Sequence, residues 1–354
     1  MAYKFTQKKK GCLLMAYLTS RSLVAALALT GVAVPAVAQE VNVYSSRHYD
    51  TDEALYDAFT EETGITVNRI EADADELIAR LEAEGENSPA DVLITVDAGR
   101  MARAEELDLL AAYESQTIED RIPDHLEHPE NLWYGIAQRA RIIYYDKEKV
   151  ENPPQTYEEL ADPAWEGKIC IRSSSNIYNQ SLMASIIETH GEEAAKEWAQ
   201  GIVNNMARDP QGGDTDQLRG IVSGECEVAV GNHYYFVRGF ESDVEGLSDD
   251  IDKIGWVWPN QDGRGTHVNL STAAMLKTAP NPENAMKLME YFTSDTAQTN
   301  LATGNHEYPA VEDAPGTATT ERLGDFKADE TTPTAAFSRN AAKAQELFNA
   351  VGWD

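Results

Sequence analysis

The sequence predicts an α/β fold of two lobes about a hinged cleft. Strand-like and helix-like patterns alternate from Val41 onward, the order that builds a sheet with helices on both faces. The 316 residues from 39 to 354 are enough for two core-bearing lobes rather than one. No long linker or internal repeat separates the halves, so the chain is expected to cross between lobes more than once.

Residues 1–38 read as an export signal. Lys8-Lys9-Lys10 and Arg21 are basic, no acid precedes Glu40, and the apolar run 23–34 is short for a bilayer. Ala36-Val37-Ala38 fits the small-x-small rule, so cleavage of a Sec-type signal is expected after Ala38.

Residues 41–44 form a first strand, and Asp50 is placed to cap the next helix, with Glu53 as its capping-box partner. Leu55, Tyr56 and Phe59 give that helix an apolar face, and Gly64 ends it. Residues 65–70 alternate like a strand. Residues 74–84 are helical with Leu77, Ile78 and Leu81 inward, and Gly85 stops them. A buried strand at 92–96 leads to Asp97, which starts a helix carrying Met101, Leu107 and Leu110. This order predicts a mostly parallel sheet. Residues 133–137 and 141–145 are extended, with a lobe crossing near 137–139. Strands at 169–171 and 227–230 and helices at 180–189, 192–207 and 215–223 make a second unit. A strand at 254–259 follows, the glycines at 263 and 265 return the chain to the first lobe, and 268–275 is a strand there. Helices at 282–292 and 335–347 complete the chain. The expected lobes are 39–137 plus about 266–305, and 138–265 plus about 306–354.

The formal net charge is −31, more negative once the five basic residues of the signal are gone. That excludes nucleic acid as a partner. The acids are spread along the chain, which reads as a solvated, salt-adapted surface rather than an acidic site. Cys12 leaves with the signal. Cys170 and Cys226 remain, an even count in an oxidising compartment, so a disulfide is expected, and too few thiols remain for a soft metal site.

Three stretches share one plan: a strand, a polar loop ending in Tyr, then a helix. They end at Tyr49, Tyr178 and the pair Tyr234-Tyr235. Ligands of open α/β sheets bind beyond the carboxyl ends of strands, where these loops lie. A phenolate is a hard oxygen donor suited to Fe³⁺. Ionising four phenols at pH 7 costs on the order of 16 kcal/mol, which only a strongly polarising cation could supply. Four tyrosinates around Fe³⁺ leave one negative charge, which Arg139, Arg141, Arg172 or Arg238 could offset. Arg139 is favoured, being at the lobe crossing. His48 is either a ligand or a donor to one, and His233 is structural. His125 and His128 are expected in solvent, and Tyr144-Tyr145 in the core. Two other readings stay open here. The same fold could bind an organic or anionic solute such as a polyamine, thiamine or a phosphate ester. A secreted enzyme is the other, although no Gly-x-Ser-x-Gly or His-Glu-x-x-His motif occurs and Ser173-Ser174-Ser175 has no evident base.

The stretches Val41-Asn42-Val43-Tyr44-Ser45-Ser46-Arg47-His48-Tyr49, Ser88-Pro89-Ala90-Asp91, Thr156-Tyr157-Glu158-Glu159-Leu160, Tyr178-Asn179-Gln180-Ser181 and Asn232-His233-Tyr234-Tyr235 together resemble the periplasmic ferric-ion-binding proteins, in their tyrosine-rich branch. The resemblance covers essentially the whole chain after residue 38. It implies a type II periplasmic-binding-protein fold, a transferrin-like clamp with ferric iron in the cleft and no catalysis. It implies Tyr49, Tyr178, Tyr234 and Tyr235 as ligands and leaves open a role for His48 and for the Ser173-Ser174-Ser175 loop; charge balance adds Arg139 and Arg238 around them. It also implies a periplasmic monomer that hands iron to an ABC permease in the inner membrane. A synergistic carbonate or phosphate is left open, and the Glu ligand of another branch has no assignable counterpart.

Overall fold

A computed structural model of the chain describes residues 39–47 and 49–354. The export signal and His48 lie outside the described residues. The strands are β1 (Glu40–Ser45), β2 (Thr66–Glu71), β3 (Val92–Thr95), β4 (Leu110–Ala111), β5 (Tyr134–Asp146), β6 (Ile169–Cys170), β7 (Val228–Asn232), β8 (Ile254–Val257), β9 (Val268–Leu276) and β10 (Tyr308–Pro309). They join in the order β2-β1-β3-β9-β5-β7-β6, with β10 and β8 also beside β5 and β4 beside β9.

The sheet is mixed rather than mostly parallel. β1 pairs in parallel with β2 and β3, as do β6 and β7, and the other pairs are antiparallel. Parallel neighbours need a crossover, which helices α1 (Asp52–Thr63) and α2 (Ala74–Glu84) supply for the first three strands. β9 instead enters after the excursion through β8 and runs against both β3 and β5. β5 belongs to both halves of the sheet. Its residues Tyr134 to Ala140 pair with β9, and Arg141 to Tyr145 with β7.

Cores lie on either side of that shared strand. One gathers Leu55, Phe59, Leu93, Ile94, Met101 and Phe292. A second gathers Ile143, Leu182, Trp198, Val230 and Phe348, and a third Tyr144, Leu218, Phe236 and Ile254. Leu77, Ile78 and Leu81 of α2 are buried as their spacing requires, and Gly64 and Gly85 close α1 and α2 with positive φ. α3 (Ala98–Glu106) starts as expected, with the Asp97 carboxylate accepting the Arg100 N–H at 3.0 Å.

Some expectations fail for identifiable reasons. Asp50 does not cap α1: Thr51 holds the cap position without a side-chain bond, and Asp52 turns back to clasp Arg47. Leu107 is 37% exposed, and Leu110 sits in β4, because α3 stops at Glu106. His128 is half-buried and bonded to Glu105 rather than free in solvent. The remaining helices are α4 (Gln116–Glu119), α5 (Ile177–His190), α6 (Glu192–Asn205), α7 (Asp214–Val222), α8 (His233–Glu241), α9 (Pro282–Phe292), α10 (Asp295–Asn305), α11 (Ala318–Leu323) and α12 (Ala335–Val351). No helix among the described residues is long and apolar enough to cross a membrane.

Cys170, at the end of β6, is bonded to Cys226, two residues before β7, with Cα atoms 5.8 Å apart. Gly220 of α7 makes room for the bridge: a Cβ there would lie 2.6 Å from the Cys226 Sγ. The bond closes 56 residues of chain, so its loss should cost about 4 kcal/mol by loop entropy. The Cys170→Ala/Cys226→Ala protein is expected to show a lowered urea midpoint and a steeper transition, because the unfolded chain without the cross-link exposes more surface.

Candidate metal site

The tyrosines singled out in the sequence come from three strand-to-helix turns. Tyr49 lies between β1 and α1. Tyr178 is in the first turn of α5, and Tyr234 and Tyr235 are in the first turn of α8. These last three sit inside helix starts rather than in loops. The Asn176 side chain accepts the Tyr178 N–H at 3.0 Å and so begins α5 early. The first turns of α5 and α8, the positive ends of their dipoles, thus carry these three tyrosines.

The structure brings the four together. The Tyr178 and Tyr234 hydroxyls are hydrogen-bonded at 3.1 Å, and the Tyr234 and Tyr235 rings are 4.3 Å apart. Tyr49 is close enough to Tyr178, Tyr234 and Tyr235 for charge on one to disfavour charge on the others. Burial, the Glu307 carboxylate and Tyr178 push the Tyr49 phenol up to about 12, against the pull of Arg139 and Arg47. Burial also raises Tyr178, Tyr234 and Tyr235. Without a cation, all four phenols are therefore neutral at pH 7.

Arginines surround the cluster. The guanidinium carbons of Arg139, Arg141 and Arg172 lie 5.7, 5.9 and 5.5 Å from the Tyr178 ring centre. Arg238 is 5.8 Å from the Tyr234 ring and 5.4 Å from that of Tyr235, and donates to Asn305 Oδ1 at 2.8 Å. Arg47 is 5.0 Å from the Tyr49 ring. Two of these cations share a buried counter-ion: Asp214 accepts from Arg141 at 3.0 Å and from Arg172 at 3.2 Å. Arg139 differs. It is 1% exposed, and its nitrogens have no hydrogen-bond partner among the described residues, although Glu307 Oε1 is 3.6 Å from its Nε. Burial alone would lower the pKa of Arg139, but Tyr178, Glu307, Tyr49 and Tyr234 together raise it, so it stays charged. A buried cation with unused donors beside neutral phenols is arranged for negative charge that arrives later.

Ser173 is less involved: its hydroxyl is bonded to Ser175, 2.9 Å away in its own loop. Tyr144 is in the core, donating to the Asn232 carbonyl at 2.8 Å, while Tyr145 is half-buried. Sequence reasoning overlooked Asp214 and Glu307, both wholly buried beside the arginines. The sequence signal for Asp214 was its place after Gln211-Gly212-Gly213. Glu307 had none, since the short β10 beside it shows no periodicity. Among the described residues no group of three His, Cys, Asp or Glu could hold a metal.

Three strand-to-helix turns thus meet over a sheet with a shared central strand. The chain belongs to the bacterial extracellular solute-binding proteins, whose family model matches residues 87–354. It is 47% identical to iron uptake protein A1 of Synechocystis over 320 residues, 90% of this chain and 89% of that one. The structure of a Trichodesmium IdiA (FutA) protein with iron and citrate ligands superposes with a TM-score of 0.84 at 48% identity, covering 89% of this chain and all of the other. The ferric binding protein of Campylobacter jejuni does so at 0.82 and 39% identity, over 89% of this chain and all of its own. The architecture shared with these neighbours is the two-lobed α/β fold.

Proposed function

We propose that this protein captures ferric iron and delivers it to an ABC permease in the inner membrane, acting as a binding protein without catalysis. Tyr49, Tyr178, Tyr234 and Tyr235 are the ligands, and Arg139 and Arg238 offset the excess of phenolate charge. The carrying observation is the meeting of four neutral, buried phenols with unspent arginine charge. Fe³⁺ ionises phenols that burial keeps protonated, and the arginines then stabilise the product. The proposed lobes are 39–137 plus about 266–305, and 138–265 plus about 306–354, with crossings in β5, in the link before β9 and between α10 and β10. They close on the metal from two sides. The iron proteins of Synechocystis, Trichodesmium and Campylobacter support the choice of metal. His48, next to Tyr49 in sequence, is a fifth candidate ligand. A carboxylate-bearing anion is the co-ligand that suits the open donors of Arg139. Export with cleavage after Ala38, a periplasmic location and a monomeric state complete the proposal.

Ferric citrate added to the metal-free protein tests the reading. A visible tyrosinate-to-iron charge-transfer band should grow to saturation at one iron per chain. A protein that stays colourless and takes up no iron would exclude it.

A further inference from the structure

The link between α10 and β10, His306-Glu307, touches both the turn that carries Tyr49 and the helix start that carries Tyr234 and Tyr235. His306 has φ 58°, in the left-handed region that non-glycine residues seldom enter. It caps the C-terminus of α10, where a left-handed residue is common. Here the surroundings are specific. The His306 carbonyl accepts the His233 Nε2–H at 2.9 Å and the Thr319 hydroxyl at 3.0 Å. His233 immediately precedes Tyr234, and its Nδ1 accepts the Ala140 N–H of β5 at 3.1 Å.

One residue on, the Glu307 side chain faces the other way along the site. It is wholly buried, and its Oε2 accepts from Arg47 Nη1 at 2.8 Å. Its Oε1 has no hydrogen bond and lies 3.6 Å from Arg139 Nε. Arg47 does not need this carboxylate for neutrality. Asp52 already binds it through two bonds, at 2.9 and 3.0 Å, and Ser271 accepts a further one at 2.9 Å. A second buried carboxylate on one arginine, with an oxygen left over toward Arg139, is more than the fold requires.

We propose that Glu307 is a positioning residue for the ferric site. Through Arg47 it sets the turn bearing Tyr49 against the helix start bearing Tyr234 and Tyr235. Through Arg139 it holds that guanidinium beside Tyr178. The left-handed His306 is what lets one short link bond in both directions. This inference rests on the ferric reading and names a residue outside the phenol set.

The test compares the wild-type protein with Glu307→Gln and His306→Gly, each loaded with ferric citrate and then challenged with EDTA. Circular dichroism confirms folding. Glu307→Gln keeps the shape and removes the charge. Removing the charge also relieves Tyr49 of a neighbour that disfavours its phenolate, which by itself would slow iron loss. A positioning role predicts the reverse: a shifted charge-transfer maximum and iron loss about tenfold faster, the worth of one charge-assisted hydrogen bond. Slower loss would overturn it. His306→Gly tolerates the same φ and keeps Glu307, but frees the link, so it too should speed iron loss. A carboxylate that served only the fold would lower the unfolding midpoint and leave band and release rate unchanged. Unchanged band and rate in folded Glu307→Gln would overturn the proposal. If that variant does not fold, an unchanged release rate in His306→Gly would do the same. A wild-type protein that takes up no iron overturns the ferric reading and this proposal with it, whereas a coloured wild type with an unaltered variant overturns this proposal alone.

Discussion

Tyr234→Phe is expected to lower ferric affinity by more than ~100-fold, the upper end of the loss from changing a mere outer-shell partner. The substitution removes one oxygen and keeps the ring, so the packing of Tyr234 against Tyr235 and His233 survives. It also breaks the 3.1 Å bond to the Tyr178 hydroxyl, leaving that phenol less well placed. The charge-transfer band should weaken and move, and Tyr235→Phe should behave alike. Tyr113→Phe is the control. That hydroxyl is buried without a hydrogen-bond partner among the described residues and belongs to the first core, so its removal should leave iron binding intact. Equal iron affinity in Tyr234→Phe and wild type, by competition with citrate, would remove Tyr234 from the ligand set.

Acid should release the iron steeply. The sign follows from the phenols. In the metal-free protein Tyr49 is pushed up to about 12, and burial raises Tyr178, Tyr234 and Tyr235, so at pH 7 all four carry their protons. In the proposed iron complex all four have lost them. Binding therefore expels protons, and lowering the pH favours the metal-free state. Four protons correspond to roughly ten-thousandfold in the binding constant per pH unit at the limit, reduced by whatever protons the iron chelate takes up. Iron loading in an unbuffered solution should acidify it by several protons per metal. A release of fewer than two protons per iron would mean that fewer than four phenolates are formed.

The parts of this protein legible in its sequence are those governed by local pattern. α2 was bounded to the residue because Leu77, Ile78 and Leu81 lie on one helical face and Gly85 follows. The tyrosine loops were legible because strand, polar turn and helix recur three times. The Cys170–Cys226 bond followed from cysteine count and compartment. What escaped depends on distant residues. Nothing local to Asp52, the first residue of α1, says that it will bind an Arg47 that is also held by Ser271 and Glu307. Glu307 gains its meaning from Arg47 and Arg139, both more than 160 positions away in the chain. α10 was missed because its sequence, Asp295–Asn305, carries a single large apolar residue, Leu301, and offers little periodicity. The mixed character of the sheet escaped because pairing direction depends on where the chain has been, not on a strand's own residues.

The arginines gathered around the tyrosines have a counterpart in the outer charge of the molecule. The chain as a whole carries a formal −31, while Arg47, Arg139, Arg141, Arg172 and Arg238 stand around the four phenols. An anionic iron chelate is thus repelled by the surface before the site attracts it. The repulsion reaches about 10 Å at 0.1 M salt and about 3 Å at 1 M. Capture of such a chelate should therefore be slowest in dilute media and quicken as salt screens the surface, which association rates at two ionic strengths would check. Ionic strength becomes a throttle on encounter, while the arginines beneath the surface still govern retention.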